Sequence, residues 1–141
     1  MHENSKTATI AREWIVKAEN DLKTASHTLK IARGCPTDTV CFHAQQCVEK
    51  YLKAFLVSKG ADFPKTHDIE HLVALLPENI WLRLSIEEQR RLTAYATVTR
   101  YPGEYEPIPQ AEAQQSVRLA RRVRKELRGL LPKEILSRRK R

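Results

Sequence analysis

Residues 42–56 read Phe42-His43-Ala44-Gln45-Gln46-Cys47-Val48-Glu49-Lys50-Tyr51-Leu52-Lys53-Ala54-Phe55-Leu56. With Val40 just upstream, the apolar positions Ala44, Val48, Tyr51, Leu52 and Phe55 recur at steps of three and four, the period of one buried helix stripe. Thr37 or Asp38 can cap this helix, and Gly60 after Lys59 supplies its stop. The stretch predicts a long helix with polar residues on its remaining faces.

The flanking sequence repeats the pattern. Upstream, Trp14, Ala18, Leu22, Ala25, Leu29 and Ala32 trace a stripe on a helix expected from about Ala11 to Arg33, closed by Gly34-Cys35-Pro36. Downstream, Thr66 or Asp68 can cap a short third helix carrying Ile69, Leu72, Val73 and Leu76, broken at Pro77. Ser85-Ile86-Glu87-Glu88 has the spacing of a capping box. It opens a fourth helix that must stop near Arg100, because Pro102 drives Tyr101 out of helical geometry. Pro109 can open a fifth helix, with Ala113, Val117, Ala120, Val123 and Leu127 inward. No strand alternation or internal repeat interrupts the series. The expected fold is all-α, an antiparallel up-and-down bundle of about five helices. A flexible N-terminus over 1–10, a bundle over 11–131 and a basic tail over 132–141 complete the division.

The 141 residues suffice for one core without disulfides or metal. The 41% hydrophobic and 30% charged content is that of a globular chain. No apolar run reaches the roughly 20 residues of a membrane span, and the start of the chain lacks a signal peptide's apolar stretch, so a cytoplasmic location is expected. Cys35, Cys41 and Cys47 form no CxxC pair and read as free thiols. The net charge of +8 is unevenly placed: residues 118–141 hold eleven Lys or Arg against two Asp or Glu, so the rest is nearly neutral. That basic stripe, ending Ser137-Arg138-Arg139-Lys140-Arg141, can track phosphates or be a solvated helix face.

On four motifs the chain resembles the HEPN domains (higher eukaryotes and prokaryotes nucleotide-binding). These are the quoted helix-two stretch, Ala18-Glu19-Asn20-Asp21-Leu22, Lys65-Thr66-His67-Asp68-Ile69 and Arg100-Tyr101-Pro102, in the family's order across residues 11 to 130. The resemblance implies a helical bundle that commonly forms homodimers. It also implies one of two occupations. Many HEPN proteins are metal-independent ribonucleases, often toxins paired with a minimal nucleotidyltransferase; others bind nucleotides, RNA or a partner without cleaving.

By the same resemblance, the family's ribonucleases carry an Arg and then a His with four to six residues between them. A near-neutral imidazole can shuttle protons while a guanidinium fork holds phosphate. Here Arg100 fills the arginine position, but Tyr105, Glu106 and Pro107 stand where the histidine belongs. An altered catalytic set would be Arg100, Tyr105 and Glu104. A binding set would be Arg100, Tyr101, His67, His43 and Lys50, with an aromatic ring stacking on a base. By resemblance Tyr105 or Tyr101 could accept a nucleotide from the partner enzyme. His43, Gln46 and Lys50 share one helix face, as a ligand groove or a dimer surface, and His67 beside Asp68 is either a phosphate contact or a loop-fixing cap. His67 and His71 are one turn apart but lack a third ligand at suitable spacing, so no metal is expected. With no glycine-rich phosphate loop or nucleophile elbow, no cofactor is expected either. The partners anticipated are a second copy, a nucleotidyltransferase and RNA or a nucleotide, with no membrane; a ligand-free helical scaffold is the plainer alternative.

Overall fold

The computed structural model describes residues 2–97 and 106–137. They form six helices: α1 (His2–Leu29), α2 (Thr37–Ser58), α3 (Ile69–Ala74), α4 (Ile86–Thr97), α5 (Gln110–Leu130) and the single turn α6 (Lys133–Leu136). The fold is all-α, and none of these helices is long and apolar enough to cross a membrane.

Helix α2 is the axis, packed against α1, α3, α4 and α5. Thirteen of its 22 residues are buried, against seven of 21 in α5, as a helix ringed by neighbours requires. Its large apolar side chains Tyr51, Leu52, Phe55 and Leu56 centre the main core, which gathers Ala11, Ile15 and Ala18 of α1, Leu92 of α4 and Leu119, Val123 and Leu127 of α5. A second cluster, Ala25, Val40, Cys41, Ile108, Ala113 and Val117, fills the far end. Side-chain bonds set the directions. Arg12 reaches the Glu134 carbonyl, Arg124 reaches Glu19 and Arg121 reaches Ser26, so α1 and α5 run antiparallel side by side.

The punctuation read from the sequence takes physical form. Gly34 and Gly60 have φ of +67° and +70°, where a side chain is strained. At Gly60 the amides of Gly60 and Ala61 bond back to the Val57 and Leu56 carbonyls at 2.9 and 3.0 Å, the Schellman closure of α2. The capping box is reciprocal: Ser85 N–H donates to Glu88 Oε1 at 2.9 Å and Glu88 N–H to Ser85 Oγ at 3.1 Å.

Four boundaries differ from expectation. Helix α1 starts at His2, not near Ala11, and Ala8 packs on the core, so residues 2–10 are helical. It ends at Leu29 rather than Arg33, because Lys30 and Ile31 bond three residues back, which tightens the final turn and leaves Ala32 exposed. Neither Thr37 nor Asp38 caps α2. The cap position is Pro36, and the Thr37 hydroxyl instead donates to the Ile108 carbonyl at 2.7 Å, tying the start of α2 to the approach to α5. The basic tail begins with α6, whose Ile135 is buried in the main core.

Candidate functional site

Three carboxylates organise the polar groups of α1 and α2, and two of them draw a cation from a neighbouring helix. The first is Asp21 on α1. Its two oxygens meet different side chains of α2, His43 Nδ1 at 2.8 Å and Lys50 Nζ at 2.6 Å. His43 and Lys50 are two turns apart on one face of α2, so a single carboxylate bridges them and fixes α1 against α2.

The second is Glu49, whose side chain is 3% exposed. It receives Lys53 Nζ at 2.9 Å, His67 Nδ1 at 2.9 Å and the Gln45 amide at 2.9 Å. Gln46 donates to Gln45 Oε1 at 2.7 Å, and Gln45 also reaches the His67 carbonyl at 3.3 Å. Lys53 sits beside the rings of Trp14 and Phe63, 5.3 and 5.9 Å from their centroids. Burial works to raise the Glu49 pKa. Hydrogen bonds from Lys53, Gln45 and His67 outweigh it and hold the carboxyl below its ordinary range.

The third is Glu19 on α1, gripped by Arg124 through Nε at 2.6 Å and Nη2 at 3.2 Å and receiving the Tyr51 hydroxyl. Arg128 in turn donates to Tyr51 at 3.3 Å. Burial again opposes the charge, and Arg124 and Tyr51 overcome it, so Glu19 also titrates below its usual value. Burial and the adjacent carboxylate push the Tyr51 phenol upward. Near residue 97, Tyr95 donates to Glu112 at 2.5 Å, joining α4 to α5.

These contacts place the residues predicted from sequence. His43 and Lys50 come together on Asp21. Gln46, expected on their face, bonds to Gln45 instead. His67 belongs to Glu49 rather than to Asp68, whose carboxylate caps α3 by accepting the His71 N–H at 3.2 Å. A carboxylate against Nδ1 holds a ring proton there and leaves Nε2 as the second polar position of the imidazole. The His67 side chain is 59% exposed, an oriented imidazole at the surface. Arg100, Tyr101, Glu104 and Tyr105 lie outside the described residues.

The carboxylates themselves do not stand out from sequence. The available signal is the spacing of Gln45, Glu49 and Lys53 at successive i,i+4 steps within the quoted stretch. Trp81 is equally inconspicuous there, yet it is 86% exposed beside a shallow cleft of about 560 Å³ between the α3–α4 connection and Arg122. Within 80–84 burial alternates: Leu82 and Leu84 point into the core, and Trp81 and Arg83 point outward.

The family model of the HEPN domain matches residues 11–130. Among solved structures, that of TT1696 from Thermus thermophilus aligns with a TM-score of 0.72 at 28% identity, covering 86% of this chain and 98% of that one. ST0689, an archaeal HEPN homologue, aligns with a TM-score of 0.68 at 27% identity and the same coverage. No curated protein matches.

Proposed function

This chain belongs to the HEPN domain family, and from that premise we propose that it is a cytoplasmic, homodimeric nucleotide- or RNA-binding module that serves a minimal nucleotidyltransferase and does not cleave RNA. The observation that carries this reading is the run Tyr105-Glu106-Pro107 after Arg100, where the family's nucleases would place histidine. Arginine retained without that histidine keeps a phosphate grip and lacks the proton shuttle. Tyrosine titrates near pH 10 in its ordinary state and is a poor base at neutrality. His43 and Lys50, engaged by Asp21, hold α1 on α2, which leaves ligand contact to Arg100, Tyr101 and His67.

The test is one purified sample taken through three measurements. Light scattering gives twice the chain mass. RNA stays intact on prolonged incubation. Labelled nucleotide or RNA binds, and nucleotide binding is lost in Arg100→Ala. Co-purification with a nucleotidyltransferase encoded alongside supports the partnership, and a mass gain of one nucleotide on incubation with that partner and ATP, absent in Tyr105→Phe or Tyr101→Phe, identifies the acceptor. A monomer that binds neither ligand nor partner overturns the reading in favour of a plain scaffold.

A second reading, a ribonuclease with an altered site, is favoured by one specific feature. His67 is exposed and oriented by a buried glutamate, as a general acid–base imidazole would be. Cleavage of RNA by pure protein, abolished in His67→Ala or Arg100→Ala, would establish it in place of the first.

A further inference from the structure

The cations of the described residues differ in whether a carboxylate meets them. Lys50 and Lys53 on α2, Arg90 on α4 and Arg122 and Arg124 on α5 are each matched to a carboxylate. Lys23 on α1, Lys30 in the turn that closes it, and Arg118, Arg121 and Lys125 on α5 are all exposed and, like Lys17, Lys59, Lys65, Arg83 and Arg91 elsewhere, form no ion pair among the described residues. The first five line one seam. Lys23 lies on the flank of α1 that also carries Glu19 and Ser26, in steps of four and three, and Lys30 follows in the turn that closes the helix. Arg118, Arg121 and Lys125 follow steps of three and four on α5. Arg121 Nη2 donates to Ser26 Oγ at 2.7 Å, Arg124 grips Glu19, and Gln110 reaches the Leu29 carbonyl at 3.5 Å, so the two flanks face each other along their length. Glu19 at the seam's base is already neutralised by the bidentate Arg124.

We propose that the α1–α5 seam is a track for the sugar–phosphate backbone of single-stranded RNA. On α5, Arg118 and Lys125 stand seven positions apart, about 10 Å along the helix, so a phosphate backbone laid along the seam meets several cations. The cations are long side chains and α5 carries no Phe, Tyr or Trp, which fits sequence-independent phosphate contact rather than base readout. The inference rests on the reading of the chain as an RNA- or nucleotide-binding module and adds a site separate from Arg100.

Fluorescein-labelled oligouridylate, titrated with the full chain across a range of salt, tests the track. Single-strand binding weakens with a log–log slope of about −0.7 per phosphate contact, so Lys23→Gln with Lys30→Gln should flatten the slope by about 1.4. Extrapolated from 1 M, that loss weakens binding roughly 25-fold at about 0.1 M salt. Lys65→Gln with Arg91→Gln removes the same charge from exposed positions off the seam and should change neither quantity. Circular dichroism confirms that both variants are folded. Equal losses in the two double variants, or no loss in the seam variant, overturn the track, as does binding to phosphatidylserine vesicles with no binding to the oligonucleotide. If ATP binding persists and depends on Arg100 while the track fails, the functional reading survives alone; if neither ligand binds, both fall.

Discussion

Replacing Glu49 by leucine removes the acceptor shared by Lys53, His67 and Gln45. The Lys53 side chain, 8% exposed, is then left between Trp14 and Phe63 with no carboxylate. Breaking a buried pair by deleting one partner costs about 3–5 kcal/mol, because the surviving charge stays desolvated. The two aromatic rings return about 0.5–2 kcal/mol through cation–π attraction, already present in the parent but less screened once the carboxylate is gone. A net loss of about 1–4.5 kcal/mol follows. At roughly 2–4 °C per kcal/mol for a domain of this size, the melting midpoint should fall by about 10 °C. The double variant Glu49→Leu with Lys53→Leu removes both charges and should recover most of that loss, since an apolar pair of similar volume is often no worse than a buried ion pair. Urea denaturation of the parent, the two single variants and the double variant gives the coupling directly. A Glu49→Leu cost under about 1 kcal/mol, or a double variant as unstable as the sum of the singles, would refute this account of the network.

Acid should destabilise the fold through the same groups. Glu19 and Glu49 both titrate below the ordinary 4.5, so their contribution is whole above that pH and is lost as pH falls through their folded values; urea midpoints measured from pH 5 to 3 should drop less steeply in Glu19→Gln with Glu49→Gln than in the parent. Ser85→Ala removes half of the capping box at α4 and should cost about 1 kcal/mol by the same denaturation assay. Of the three thiols, half-buried Cys35 should react with an aromatic disulfide reagent in the native state, while Cys41 and Cys47 react only after unfolding; burial, aided by Glu19 and Asp21, pushes the Cys47 thiol up and disfavours its thiolate.

The bundle was legible because its signals are local. Apolar steps of three and four, two positive-φ glycines, Pro77 and the Ser85–Glu88 box each act within a few residues, and the helices follow from them. The start of α1 was not legible from its stripe alone. Residues 2–10 carry few large apolar side chains, and they are helical by continuing a helix whose later turns are buried. The failed cap of α2 has a tertiary cause, since the Thr37 hydroxyl bonds to the Ile108 carbonyl, 71 residues away. The same distance effect hid the polar site. Asp21 with Lys50 and Glu19 with Arg124 are pairs 29 and 105 residues apart, visible only once the helices are aligned. Which cations have partners was likewise invisible, because sequence only counts charges. Arg118 to Arg141 read as one basic stripe, whereas Arg124 and Arg128 turn inward to Glu19 and Tyr51, Arg122 meets Glu88, and Arg118, Arg121 and Lys125 stay exposed.

We propose above that this HEPN chain grips RNA without cutting it. Fluorescence anisotropy of a labelled single-stranded RNA, followed by electrophoresis of the same RNA after overnight incubation, tests both halves on one sample. Saturable binding with a full-length RNA band at the end is the predicted result. Fragments that accumulate with time in the parent but not in Arg100→Ala, or anisotropy that never rises, would contradict it.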